Sequence, residues 1–173
     1  MNPVKKQIPV LIHKGKPVCE SLIIVEYIDE VWKHKSPLLP SDPCQRAHAR
    51  FWADYVDKKI HSLGKEMWIS KGQAREAAKK EFISCFKLLE GELGEKPYFG
   101  GEGFGLVDVA LIPFSSLFLF YEECGINVAE EFPKIVDWTE RCMQRDSVAK
   151  SVPDKQKVYD FYVDLQKKLS ASQ

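Results

Sequence analysis

The chain has no surplus of either charge. Lys plus Arg and Asp plus Glu number 25 each among its 173 residues, so the formal net charge is zero. That balance excludes the basic footprint that nucleic acids and anionic membrane surfaces select. No run approaches the roughly eighteen apolar residues a membrane span needs, and the apolar run after Lys5-Lys6 is too short for a signal peptide. A soluble, cytoplasmic chain is expected, with small ligands or proteins as partners, and with no nucleic acid and no membrane. The cysteines, Cys19, Cys44, Cys85, Cys124 and Cys142, are odd in number and lack a C-x-x-C pair. Buried thiols are expected, not a zinc site or disulfide framework. No Ser/His/Asp set and no metal-ligand cluster emerges. Gly101-x-Gly103-x-Gly105 lacks the G-x-G-x-x-G spacing and has no G-K-[ST] after it, so a phosphate loop is excluded.

What remains is ordinary core material, 45% hydrophobic against 29% charged. Ile8 to His13 is apolar and β-branched, Lys14-Gly15-Lys16-Pro17 reads as a turn, and Val18-Cys19 as a short return strand. A helix over Leu22 to Trp32 is apolar on most faces and needs cover on more than one side. "WKHKSPLLPSDP", residues 32–43, carries three prolines and reads as a linker. Beyond it only helical periods occur. One helix, capped by Ser41 or Asp42, runs to about Ser70, and a second covers about Gln73 to Gly94. A third runs from Leu106 through Phe120 as the buried central helix, kinked at Pro113. Two more span about Pro133 to Gln144 and about Asp154 to Leu169, the last ending in a polar tail. The expected fold is α+β and mostly α: a two-stranded hairpin plus helix over residues 1–32, a linker over 33–43, and an all-helical domain over 44–173.

Three groups of residues are candidates for chemistry. Asp108 stands three residues after Gly105, where its carboxylate can reach back to the N–H of a helix cap, so it reads as structural. His61, Lys65 and Trp68, spaced i, i+4, i+7, share one helix face that can line a pocket for a planar apolar compound. A cis Ile8–Pro9 bond would leave the Ile8 backbone facing outward, beside the carboxylate of Glu20, the hydroxyl of Ser21 and the unpaired N–H groups of a helix N-terminus. Such a place suits a ligand bearing an α-amino and an α-carboxylate group together. Ser21 by itself reads as an N-cap. His13, His34 and His48 stand apart and read as surface residues.

The run "NPVKKQIPVLIHKGKPVCESLIIVEYIDEVW", with "LLPSDPCQRAHARFWADYVDKKI" and "FGLVDVALIPF" after it, resembles the plant glutathione transferases of the tau class over nearly the whole chain. The resemblance implies a partial thioredoxin-like domain that holds glutathione, followed by a helical domain that helps bind an electrophile. It implies that Ile8, before the structural Pro9, pairs its backbone with the cysteinyl unit of glutathione, and that Glu20 and Ser21 hold the γ-glutamyl end. Gln7 stands where the family has a lysine for the glycine carboxylate. His61, Lys65, Trp68, Phe161 and Leu165 fall where the electrophile pocket is lined, and Asp108 matches a helix-capping aspartate. The chain resembles a member without the first β-α-β unit, which carries the catalytic serine, and no residue here matches that serine. The open edge of the first strand and one side of the following helix are then expected to be uncovered.

Two functions of different class follow. One is a detoxifying transferase that conjugates reduced glutathione, as co-substrate and without a cofactor or metal, to small apolar electrophiles. The other is a non-catalytic ligand-binding protein, or one that forms a homodimer or a dimer with a full-length relative. A thiol transferase using Cys19 is a weaker third reading.

Overall fold

Lys14 and Gly15 take φ of 50° and 76°, the positive values that a two-residue hairpin connection of the primed type demands of both central residues. The turn is therefore two residues, not the four expected, and Lys16 and Pro17 belong to the return strand. Strand β1 (Val10–His13) pairs antiparallel with β2 (Lys16–Cys19), Val10 opposite Cys19 and His13 opposite Lys16. The computed structural model describes residues 2–170, so the polar tail beyond Ser170 lies outside them.

Helix α1 (Ser21–Val31) follows β2 at once. It buries Ile24, whereas Ile23, Ile28 and Val31, with Trp32 beyond its end, stay exposed. His13 is not a lone surface residue. Its Nδ1 lies 2.7 Å from the Tyr27 hydroxyl and its ring packs against Trp32, which ties β1 to α1.

Asp42 caps the first long helix by accepting the Gln45 N–H at 2.8 Å, with Pro43 at the opening position, where a missing donor costs nothing. This helix is three joined pieces: α2 (Pro43–Tyr55), a π turn (Val56–Ile60) and α3 (His61–Ile69). Helix α4 (Gly72–Leu93) packs against α3. The expected continuous central helix is instead α5 (Leu106–Leu111), a 3-10 segment (Ile112–Leu117) and α6 (Phe118–Glu123). Pro113 has no N–H to offer an α-helical ladder, and Ser115 and Ser116 donate back to the carbonyls of Ile112 and Pro113, both at 2.7 Å. The one-turn helices α7 (Val128–Glu131) and α9 (Asp146–Ala149) are too short to show a period, and they flank α8 (Pro133–Met143). Helix α10 (Lys155–Ser170) closes the described chain. Cys85, Cys124 and Cys142 are buried as expected, but Cys44 is exposed and Cys19 half-buried.

The core lies between α3, α4, α6 and α8. Phe82, Phe86, Tyr121 and Phe132 form a chain of rings with centroids 4.6–5.0 Å apart, worth more than their buried area alone. At its lower end Asp108 is fully buried and its carboxylate accepts four N–H groups: Gly105 at 2.8 Å, Phe99 at 2.9 Å, Gly100 at 3.2 Å and the Trp138 indole at 2.7 Å. Burial raises the carboxyl above its ordinary range, and these four donors oppose the rise. The glycine-rich loop serves this contact. A Cβ on Gly100 would stand 2.4 Å from the Gly103 carbonyl oxygen, so only glycine lets the loop fold tightly enough. Leu106 N–H then donates to Leu38 O at 3.0 Å, and the Leu38 and Leu39 amides donate to Asp29 at 2.6 and 3.2 Å. The helical domain, the linker and α1 are thereby stitched in one sequence of bonds.

Two hydroxyl and carboxyl deletions should separate satisfied from unsatisfied burial. Asp108→Ala strands four donors and should cost about 3 kcal/mol or more. Tyr121→Phe removes a buried hydroxyl that has no partner among the described residues, and should leave stability unchanged or raise it by up to about 1 kcal/mol. Urea unfolding of both variants checks the pair.

Candidate functional site

The hairpin register builds the first half of the site. Because Val10 faces Cys19, the residues just beyond them, Pro9 and Glu20, come together at the same end, and α1 begins there. The Ile8–Pro9 bond is cis and Ile8 is 91% exposed. Glu20, not Ser21, holds the N-cap position. Its φ of 73° and ψ of 125° are rarely tolerated by a residue with a side chain. Ser21 is the first helical residue, directly after Glu20, and no side chain caps the opening N–H groups of α1. Gln7 enters by its backbone, accepting the Asn2 side-chain amide at 3.1 Å.

One residue here escaped the sequence reading. Asn2 Oδ1 also accepts the Lys5 N–H at 3.1 Å, and Asn2 O accepts Lys6 N–H at 3.0 Å. The turn so formed carries Lys5 Nζ to 3.0 Å from the Glu20 carboxylate. The only sequence signal was a pair of lysines upstream of Gln7.

The second half is an apolar groove of about 480 Å³ between α3, the 3-10 segment and α10. His61 and Phe161 line it. Trp68 stands behind, edge-on to the groove residue Tyr162 with centroids 5.7 Å apart. Lys65 and Leu165 lie one turn beyond His61 and Phe161 and do not line it. Phe114, Leu117 and Lys157 do, and sequence reasoning missed them. Phe114 and Leu117 are three residues apart and stack on one face of the 3-10 segment, where residues i and i+3 eclipse.

A larger cleft of about 1210 Å³ opens between the linker, α2 and the glycine loop, and none of the expected site residues lines it. Several of its polar groups are already engaged: Asp29 with the linker amides, Arg46 with the Ser41 carbonyl at 3.3 Å, and Glu92 with Lys96 and His48 at 2.9 and 3.0 Å. His48, which also takes the Trp52 indole N–H, is therefore not a solitary surface residue.

Residues 1–30 match the family model described as "Glutathione S-transferase, N-terminal domain", and residues 50–146 match "Glutathione S-transferase, C-terminal domain". The chain belongs to the glutathione S-transferase family. A probable glutathione S-transferase of Nicotiana tabacum, parC, is 61% identical over 97% of this chain and 77% of its own length. Glutathione S-transferase U25 of Arabidopsis thaliana is 58% identical over 98% and 77%. Among solved structures, a rice glutathione S-transferase in complex with glutathione superposes with a TM-score of 0.90 at 45% identity, covering 96% of this chain and 78% of that one. The tau-class enzyme of mango gives 0.86 at 39%, covering 95% and 78%. The tau-class plant members are thus the relatives of this chain. Its hairpin and α1 are the thioredoxin-like part, and its helices the family's C-terminal domain.

The strained Glu20 backbone yields a test of the site's construction. Glu20→Gly relieves the positive φ and should raise stability by about 1 kcal/mol in urea melts, at the expense of any ligand that the carboxylate holds.

Proposed function

We propose that this transferase-family chain binds reduced glutathione at the hairpin end and presents its sulfur to an apolar electrophile in the α3–α10 groove. The observation that carries the reading is the register, which sets an outward Ile8 backbone, the Glu20 carboxylate and the N-terminus of α1 at one place. Glu20 takes the α-ammonium of the γ-glutamyl unit. Ser21 and the unpaired N–H groups behind it take the α-carboxylate. Ile8 pairs its backbone with the cysteinyl unit, and Gln7 offers a neutral amide to the glycine end.

In the reaction the glutathione sulfur forms a bond to the electrophilic carbon. A leaving group departs with the bonding pair, and the thiol proton goes to solvent, so that GSH and RX give GSR and HX. Holding sulfur and carbon together is what these residues contribute. A thiol near its ordinary pKa of about 8.5 is a few per cent thiolate at pH 7. Detoxification in the cytoplasm belongs to this reading on the ground of family.

A specific observation favours a second reading, a binding or dimerising role. Among the described residues β1 pairs with β2 alone, and α1 leaves Ile23, Ile28 and Trp32 56%, 41% and 43% exposed. A second copy or a full-length relative is the partner that this face suits.

Calorimetric titration with reduced glutathione, alongside conjugation of a chloronitrobenzene, tests both. Binding with turnover above the uncatalysed rate supports the transferase, binding without turnover the second reading, and absence of binding in a folded sample removes the site assignment. Lys5 already neutralises Glu20, so the incoming ammonium must displace it. Lys5→Ala should therefore tighten glutathione binding by up to about five-fold, the range of an exposed ion pair, whereas Glu20→Gln should weaken it.

A further inference from the structure

The hairpin leaves one edge open in a defined register. Lys14 and Gly15 form a two-residue connection, so His13 and Lys16 close it as a hydrogen-bonded pair. Bonded and unbonded pairs alternate along an antiparallel ladder, which makes Leu11–Val18 the next bonded pair. The main-chain N–H and C=O groups of Val10 and Ile12 therefore point away from β2. Pro17, which has no N–H, stands at an outward position of β2 where none is needed. Among the described residues β1 pairs with β2 alone. Strand β1 holds no Lys, Arg, Asp or Glu to guard its edge, and the formal net charge of the chain is zero. His13 contacts Tyr27 and Trp32, so His13 and Leu11 face α1 while Val10 and Ile12 face the other way. Of the eleven large apolar side chains that stay exposed among the described residues, seven precede residue 33. The apolar excess thus gathers around this edge and α1.

We propose that the occupant of this edge is a second copy of the chain, its β1 antiparallel to the first about a two-fold axis through Leu11. In that register Val10 meets Ile12 of the second copy, and the two such pairs exchange about four N–H···O bonds between extended residues. Moving the axis one residue either way brings in Lys14, which has a positive φ, or Ile8, which precedes the cis bond. Helix α1 packs on both strands of its hairpin. The two-fold keeps both helices on one face of a four-stranded sheet. Strands about 4.8 Å apart then set the helices about 10 Å from each other, a packing distance of helices. The ladder alone falls short of the ~800 Å² per partner that a stable contact removes from water, and the exposed Ile23, Ile28 and Val31 of α1 add to it. Four strands backed by two helices also escape the marginal stability of a lone hairpin. The inference rests on the dimerising reading above, to which it adds the surface and its register, and it is independent of the glutathione reading.

The test is sedimentation of the full chain, 19.8 kDa as a monomer, over a range of concentrations, with disulfide trapping beside it. The wild-type chain should sediment as a dimer at micromolar concentration. Ile12→Pro removes an outward N–H opposite Pro17, and Ile12→Lys places a charge on the edge strand at a half-exposed position. Each should weaken the dimer at least about ten-fold while circular dichroism matches the wild type. Phe51→Lys, on the exposed face of α2, should leave it unchanged. Directly opposite residues of an unbonded pair bring their Cβ atoms to about 4.5–5.5 Å. Leu11→Cys should therefore cross-link to its copy under mild oxidation beyond the wild-type background, and Lys16→Cys should not. A dimer that survives both Ile12 substitutions, one that Phe51→Lys abolishes, or a folded Leu11→Cys chain that links no better than background overturns this surface and keeps the dimerising reading. A wild-type chain that stays monomeric overturns both.

Discussion

The buried carboxylate of Asp108 is the joint on which the molecule turns. Removing a carboxylate from water is costly unless hydrogen bonds replace the lost solvation, and here four N–H groups do so from three separate places: the glycine loop, the start of α5 and the indole of α8. The same loop geometry sets the Leu106 N–H against Leu38, and Leu38 against Asp29 of α1. A defect at Asp108 therefore reaches the far domain through consecutive hydrogen bonds. It does not need a general loosening of the core.

This joint matters because the hairpin domain has little else to hold it. Helix α1 buries Ile24, and most of its other apolar side chains reach solvent. The two halves of the site thus rest on supports of unequal strength. Two of the groove walls, α3 and the 3-10 segment, supply residues to the core, whereas the hairpin end sits on a two-stranded sheet, a structure of marginal stability by itself. Strain at Glu20 is held between Cys19, paired in the hairpin, and Ser21, the first residue of α1.

Local pattern made much of this legible. The Gly105–Asp108 spacing, the Asp42 cap and the long helices follow from contacts within four residues, which sequence displays directly. Helix subtype did not. The π turn at Val56–Ile60 and the 3-10 segment at Ile112–Leu117 are formed by residues that also satisfy an α-helical period. Ser62 shows how such a turn is accommodated, donating its hydroxyl to the Lys58 and Lys59 carbonyls within the helix. Phe114 and Leu117 share a face in either kind of helix, and what the sequence does not display is that this face borders α3 and α10. Partners distant in sequence, such as His13 with Tyr27 or Lys5 with Glu20, leave no local trace either.

The two halves also differ in what can change them. Under the proposed reading, the hairpin end would recognise its ligand through the backbone at Ile8 and the first N–H groups of α1 together with the Glu20 carboxylate. Substitution of side chains there, such as glutamine at position 7, removes one contact and leaves the frame. The groove is built from side chains on three elements, so a single exchange at Lys157, His61 or Leu117 alters its charge or shape without disturbing the helices that carry them. Under the proposed reading, a constant thiol carrier at the hairpin end and a variable acceptor in the groove would be the division of labour.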